Sequence, residues 1–171
     1  RVAFFPGSSI GNFDPGGATG FLAVVAALVG PGGFLLIGVD LKKDPAVLNA
    51  AYDDAAGVTA AFNLNLLARI NGELGADFDL NAWRHRAFYN DARGRVEMHL
   101  VSTRDQRVQC GGACFDFGLG ETIHTENSYK YSIADFQAVA RRAGFSPEAV
   151  WTDPADLFSV HLLRVPDAGS A

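Results

Sequence analysis

Hydrophobic positions change their period twice along this chain, and each change marks a change of structure. Val2 to Phe5 is a short apolar run stopped by Pro6-Gly7, the pattern of a strand buried on both faces. Asp14-Pro15 then opens a helix whose apolar positions Phe21, Leu22, Val24, Val25 and Leu28 recur at helical spacing until Gly30-Pro31 breaks it. Phe34 to Val39 is a second buried strand ending at Asp40. Strand, helix and strand in that order predict a βαβ crossover, which requires a parallel sheet covered by helices.

Asp44-Pro45 opens another helix over Ala46 to Asp54. After Gly57 a longer one spans Val58 to Leu74, with Phe62, Leu66, Leu67 and Ile70 predicted on its buried face. From Trp83 the period becomes two. Val96, Met98 and Leu100 alternate with Glu97, His99 and Val101, and Arg107 to Cys110 leads through Gly111-Gly112 towards Phe115 and Phe117. The helical period returns from Ile133 to Ala143 and stops at Gly144, before strand patterns at Ala149 to Thr152 and Phe158 to Val165. The expectation is an α/β protein with an antiparallel excursion between its two ends.

Composition narrows the partners. With 171 residues, 49% of them hydrophobic, the chain has material for a sizeable core. A formal charge of -5 and no basic cluster beyond Arg141-Arg142 argue against nucleic acid or an anionic membrane surface. The longest apolar stretch, Gly20 to Leu28, is too short to span a bilayer, and no basic, apolar leader precedes it, so a cytoplasmic location is expected. Cys110 and Cys114 lack further ligands at metal-site spacing and read as reduced thiols. His85, His99, His124 and His161 fall on different elements without a shared-face spacing, so no metal is expected. Because Arg1 runs directly into a strand and Met98 is the only methionine, the chain reads as a piece of a longer protein.

Three stretches carry candidate chemistry. Gly7-Ser8-Ser9-Ile10-Gly11 matches the G-x-S-x-G elbow of hydrolases and follows a strand, but Asn12 to Pro15 intervene before a helix can begin. The alternatives for this loop are ligand contact at the carboxyl end of a parallel strand, with Asn12 as donor and acceptor, or a simple turn. Asp40 ends the second strand and is ligand-facing or a helix cap, while the acids of Tyr52-Asp53-Asp54 sit at a helix end and are expected in solvent. The third stretch is ETIHTENSYKYS, Glu121 to Ser132. On an extended segment Glu126 and Ser128 point to one side, and a carboxylate and a hydroxyl two residues apart suit a planar ring with two nitrogens, such as imidazole.

The runs FFPGSSIGNFDP, AAYDDAAGVTAAFN, RVEMHLVS, GETIHTENSYKYS and VWTDPADLFSVHLLRV together resemble the histidine-specific Nα-methyltransferases of ergothioneine biosynthesis, over essentially the whole chain. The resemblance implies a partial Rossmann-like class I methyltransferase sheet, comprising its later strands, with an inserted α+β substrate-binding lobe. Residues 1–41 would be the second half of the core, 42–131 the lobe, 132–166 the closing helix and strand pair, and 167–171 a tail. It implies S-adenosyl-L-methionine as methyl donor and L-histidine as acceptor, with hercynine as product. By matching positions, Asn12 and Tyr52 would hold the substrate carboxylate, Glu126 and Ser128 would grip the imidazole, and Met98 would pack beside it. Gly7, at the end of the first strand, is the one candidate cofactor contact. The family's glycine-rich cofactor loop has no counterpart here, so the chain alone would be inactive and its exposed sheet edge prone to self-association. The alternatives are another amino acid as substrate, a silent binding module, or a hydrolase.

Overall fold

The computed structural model describes residues 1–167; of the expected tail, residues 168–171 lie outside the described residues. In chain order the elements are β1 (Val2–Phe5), α1 (Pro15–Val29), β2 (Phe34–Asp40), α2 (Pro45–Tyr52), α3 (Val58–Leu74), β3 (Trp83–Asn90), β4 (Arg95–Ser102), β5 (Gln106–Cys110), β6 (Ala113–Phe117), β7 (Thr122–Tyr129), α4 (Ile133–Arg142), β8 (Ser146–Thr152) and β9 (Phe158–Arg164). Two compact units result. The first takes Arg1–Asp44, Asp91–Arg95 and the chain from Asn127 onward; the second takes Pro45–Asn90 and Val96–Glu126.

The first unit is built on a four-stranded sheet in the order β1-β2-β9-β8. β1 is parallel to β2, whereas β9 runs antiparallel to both β2 and β8. The crossover α1 starts where the sequence predicts, because the Asp14 carboxylate accepts a hydrogen bond from Gly17 N–H at 2.6 Å and Pro15 needs no donor partner in the first turn. Its buried face keeps Leu22 of the expected set, with Phe21 and Val25 packed against the core, but differs at other positions. Ala18, Leu22, Ala26 and Val29 face the core, while Val24 is 69% and Leu28 68% exposed. Small residues at positions 18 and 26 allow close approach to the sheet, a selection that hydrophobicity alone does not reveal.

Leu35, Ile37 and Val39 of β2, Leu163 of β9 and Phe136, Val139 and Ala140 of α4 complete this core. α4 is set by a reciprocal cap in which Ser132 accepts from Asp135 N–H at 3.0 Å and the Asp135 carboxylate returns to Ser132 N–H. At Gly38 the strand passes so close to its neighbours that an added Cβ would lie 2.1 Å from the Pro6 carbonyl oxygen. Pro147 sits on the edge strand β8 beside a register shift, where a missing N–H donor is tolerated.

The second unit has its own core of Leu67, Ala82, Trp83 and Leu100, backed by Leu64, Phe78, Phe117 and Ile123. Strand order in the three-stranded sheet is β3-β4-β7, and β5 and β6 form a separate hairpin through Gly111 and Gly112, both at positive φ. Cys110 and Cys114 of that hairpin are free thiols. On α3 the buried residues are Asn63 and Leu67, whereas Phe62 is 68% and Leu66 39% exposed, reversing part of the expected apolar face. Asn63 is carried inward because it has partners: its Nδ2 bonds His85 Nδ1 at 3.0 Å and donates to the His99 carbonyl at 3.2 Å.

One buried histidine makes the first unit sensitive to acid. His161 is fully buried beside the Phe136 ring, with Nε2 3.0 Å from Ser159 Oγ. Since Ser159 gives its proton to the Val39 carbonyl at 3.1 Å, Nε2 must donate, leaving Nδ1 a bare nitrogen with no described partner. Burial lowers its pKa to about 4. A histidine whose folded pKa is depressed stabilises the fold above its unfolded value, and that stability drains away as pH falls from about 6.5 towards 4. Chemical denaturation across this window is expected to lose up to about 3 kcal/mol, with the loss reduced in His161→Gln. An equal pH slope in both proteins would remove His161 from this role.

Candidate functional site

The loop after β1 closes as a 3-10 turn over Ser8–Asn12. Its first hydroxyl, Ser8 Oγ, accepts from Asp40 N–H at 2.8 Å and so ties the turn to the end of β2. Ile10 is wholly buried beneath it. Gly11 follows with no room for a side chain, since a Cβ would come within 2.6 Å of the Tyr129 carbonyl oxygen and 3.5 Å of Ser128 Oγ. Asn12 is thereby held, exposed, beside the carboxyl ends of two parallel strands, where open α/β sheets bind ligands. Gly7 is open backbone, and a Cβ there would meet only Ser9 Oγ at 3.7 Å. The G-x-S-x-G stretch is not a nucleophile elbow: it forms a 3-10 turn, α1 begins only at Pro15, and this unit's His161 bonds Ser159.

The end of β7 and the segment after it are fastened to the same place. Tyr131 N–H donates to the Asp40 carbonyl at 3.2 Å and Lys42 N–H to the Tyr131 carbonyl at 2.9 Å. The Lys130 side chain, 1% exposed, places its Nζ 2.5 Å from Asp40 Oδ2 and 2.9 Å from Ser128 Oγ. Asp40 Oδ1 also pairs with Lys43 Nζ at 2.5 Å. Arg95 donates to Tyr129 Oη at 2.7 Å. Tyr131 is buried against Phe136, and burial raises its hydroxyl pKa to about 12.

In the second unit Met98 and Glu126 line one cleft of about 170 Å³, together with Phe62, Asn63, Leu66, Arg69 and Thr125. Thr125 Oγ1 donates to the Met98 carbonyl at 3.0 Å, locking the two strands at that level. The exposed Phe62 and Leu66 of α3 give this cleft its apolar wall. Tyr52 ends α2, and its carbonyl is bonded to His85 Nε2 at 2.8 Å; because Asn63 Nδ2 donates to the other ring nitrogen, His85 carries its proton on Nε2. Asp54 is not idle in solvent. Its carboxylate accepts from Val58 N–H at 3.0 Å and Thr59 N–H at 2.8 Å, and the Thr59 bond is the main reason its pKa falls to about 2.

The expected scattering of histidines is corrected here. Across β4 and β7, His99 and His124 stack with ring centres 4.4 Å apart, and Glu97 Oε2 is 3.2 Å from His99 Nε2. The ligand atoms of Glu97, His99 and His124 lie within 4.8 Å of one another. The two imidazole planes are inclined by only 19°, so their in-plane lone pairs lie in nearly parallel planes. Burial lowers the His99 pKa. Linear spacing cannot reveal such a pair, because it depends on strand register.

Of the candidate residues, Gly7, Asn12 and Ser128 belong to the first unit and Tyr52, Met98 and Glu126 to the second. Ser128 stands against the turn that ends in Asn12, and Met98 shares a cleft with Glu126, which Tyr52 does not line. Sequence reasoning missed Lys130 and left Asp40 undecided. The available signal was a lysine two residues beyond Ser128, just past the end of β7, on a stretch with no other charge between Glu126 and Asp135.

Comparison with known proteins agrees with this architecture. The family model for histidine-specific, SAM-dependent methyltransferases matches residues 1–165. The histidine N-alpha-methyltransferase of Mycolicibacterium smegmatis is 44% identical over 164 residues, which is 95% of this chain and 51% of that protein. Ergothioneine biosynthesis protein 1 of Neurospora crassa is 34% identical over 92% of this chain and 18% of its own length. The chain thus spans about half the length, or less, of these curated relatives. Among solved structures, the CcbJ methyltransferase of Streptomyces caelestis superposes with a TM-score of 0.50 at 11% identity, covering 96% of this chain and 57% of that one, a likeness of fold. The chain belongs to the histidine-specific, SAM-dependent methyltransferase family.

Proposed function

We propose that this chain is the substrate-binding part of a cytoplasmic enzyme that transfers three methyl groups from S-adenosyl-L-methionine to the α-amine of L-histidine, giving hercynine on the way to ergothioneine. The observation that carries the reading is the pairing of family membership with Glu126 and Ser128 on β7. Two residues apart on a strand, they face one side and offer an acceptor and a hydroxyl to one ring. Asn12 and Tyr52 take the substrate carboxylate, Met98 packs beside the imidazole, and residues 42–131 act as the inserted lobe. Gly7 contributes backbone at the edge of the cofactor position. No described helix is long and apolar enough to cross a membrane.

The methyl donor arrives already activated as a sulfonium, so what the protein must supply is alignment in a water-poor pocket. The amine nitrogen forms its bond to carbon as the carbon–sulfur bond breaks and sulfur keeps the electron pair. An α-amine is largely protonated at neutral pH, so a proton leaves before each attack. Specificity comes from polar groups that stay unpaired when the wrong ring enters.

Incubation of the full-length protein with S-adenosylmethionine and a mixture of amino acids is expected to add methyl masses to histidine alone, up to three. Methylation of a different amino acid would keep the chemistry and overturn the substrate. The isolated chain is expected to be inactive in the same assay. Glu126→Ala is expected to lower kcat/KM for histidine roughly 10- to 150-fold, the worth of a hydrogen bond to a charged group, with cofactor affinity unchanged. Parallel losses in both titrations would refute its role. The isolated chain also exposes β1 as a sheet edge, with Val2 70% and Phe4 67% exposed, and is expected to self-associate. Sedimentation should show concentration-dependent association that Val2→Lys suppresses; a monomer at every concentration would contradict this.

A further inference from the structure

Within the second unit, α2 is tied to β3 at two points. Tyr89 N–H donates to Asn49 Oδ1 at 2.7 Å, and His85 Nε2 lies 2.8 Å from the carbonyl of Tyr52, the last residue of the helix. A helix ends in carbonyls that have no partner further along their own helix, so His85 supplies what α2 cannot. A carbonyl only accepts, and this bond therefore needs the ring proton on Nε2.

That tautomer is set from the other side of the ring. Asn63 Nδ2 stands 3.0 Å from His85 Nδ1 and 3.2 Å from the His99 carbonyl. Because the His99 carbonyl accepts only, the Asn63 atom facing it is the amide nitrogen, and turning the amide over would set oxygen against oxygen. Its two hydrogens serve the two acceptors. Asn63 is 3% exposed and also lines the cleft of Met98 and Glu126. One chain of hydrogen bonds thus runs from His99 on β4 through Asn63 on α3 and His85 on β3 to the end of α2.

We propose, resting on the histidine reading above, that His85 is a positioning residue that, through Asn63, holds Tyr52 for the substrate carboxylate at a fixed place relative to the ring cleft. The last residue of a helix frays unless something holds it. An imidazole does so where a lysine could not, since it accepts from Asn63 and donates to Tyr52 at once. A glutamine amide also carries one accepting and one donating end, whereas a phenyl ring of similar size has neither.

Calorimetry of the full-length protein with S-adenosylhomocysteine, titrated with histidine and with histamine, which lacks the carboxylate, tests this. Histidine should bind about 10- to 150-fold more tightly, the worth of a hydrogen bond to a charged group. His85→Phe should shrink that ratio about fivefold or more, while His85→Gln should keep it within about twofold. A merely structural weakening lowers both affinities together and leaves the ratio as it was, so an unchanged ratio in a folded His85→Phe protein overturns the inference alone. Equal affinity of histidine and histamine for the unsubstituted protein overturns the Tyr52 reading and this inference with it. Nitrogen-15 NMR of the unsubstituted protein should show the His85 proton on Nε2, and a proton on Nδ1 overturns the inference. Should His85→Phe not fold, His85→Asn, too short to span both partners, is read by the same ratio.

Discussion

The contact on which the first unit's candidate site depends is the ion pair between Lys130 and Asp40, two residues brought together from ninety positions apart. A pair this buried is weak evidence for stability, because desolvating both charges offsets much of their attraction. Its value lies in uniqueness. Once Asp40 is set at the end of β2, its carboxylate holds Lys130, its N–H holds the turn through Ser8, and its carbonyl holds Tyr131. The end of β7, the 3-10 turn and the end of β2 are fixed by one residue, and Asn12 and Ser128 inherit their positions from it. Removing Asp40 alone would strip the buried Lys130 ammonium of its carboxylate, which costs about 3–5 kcal/mol, whereas removing Lys130 leaves Asp40 its Lys43 partner.

Close packing works with that network. Gly11 lets the turn lie against the backbone of Tyr129 at a distance no side chain permits, and Gly38 does the same for β2 beneath Pro6. Both glycines serve approach rather than unusual dihedrals. In the second unit the equivalent economy is polar: Asn63 enters the interior of α3 because it can satisfy both the His85 ring and the His99 carbonyl, and the apolar Phe62 and Leu66 are left to wall the cleft.

Much of the framework was legible in the sequence because its signals are local. Asp14-Pro15 begins α1, Gly30 ends it, Gly57 precedes α3, and Gly144 follows α4. The closing antiparallel strands also lie where alternation places them. What was not legible depends on partners distant in sequence. Val24 and Leu28 look like core residues to any helical count, yet it is Ala18 and Ala26 that the packing of the core buries. Glu97 looks outward by alternation, yet β4 is covered on both faces and its carboxylate is taken by Asn90 and His99. Asp54, expected in solvent, accepts from the first N–H groups of α3, at Val58 and Thr59. Glu126 and Ser128 were singled out by alternation and resemblance, while Lys130 was passed over because a lone lysine just beyond a strand is ordinarily read as solvated.

The account's central claim is that Asp40 fixes the end of β2, the 3-10 turn and the segment after β7, in part through the buried Lys130 ammonium. Urea denaturation of the full-length protein carrying Asp40→Asn, beside Lys43→Met, tests it most directly. The account predicts a loss of about 3–5 kcal/mol in Asp40→Asn, which strips the buried ammonium of its carboxylate, and a smaller loss in Lys43→Met. Equal small losses in both variants would contradict it.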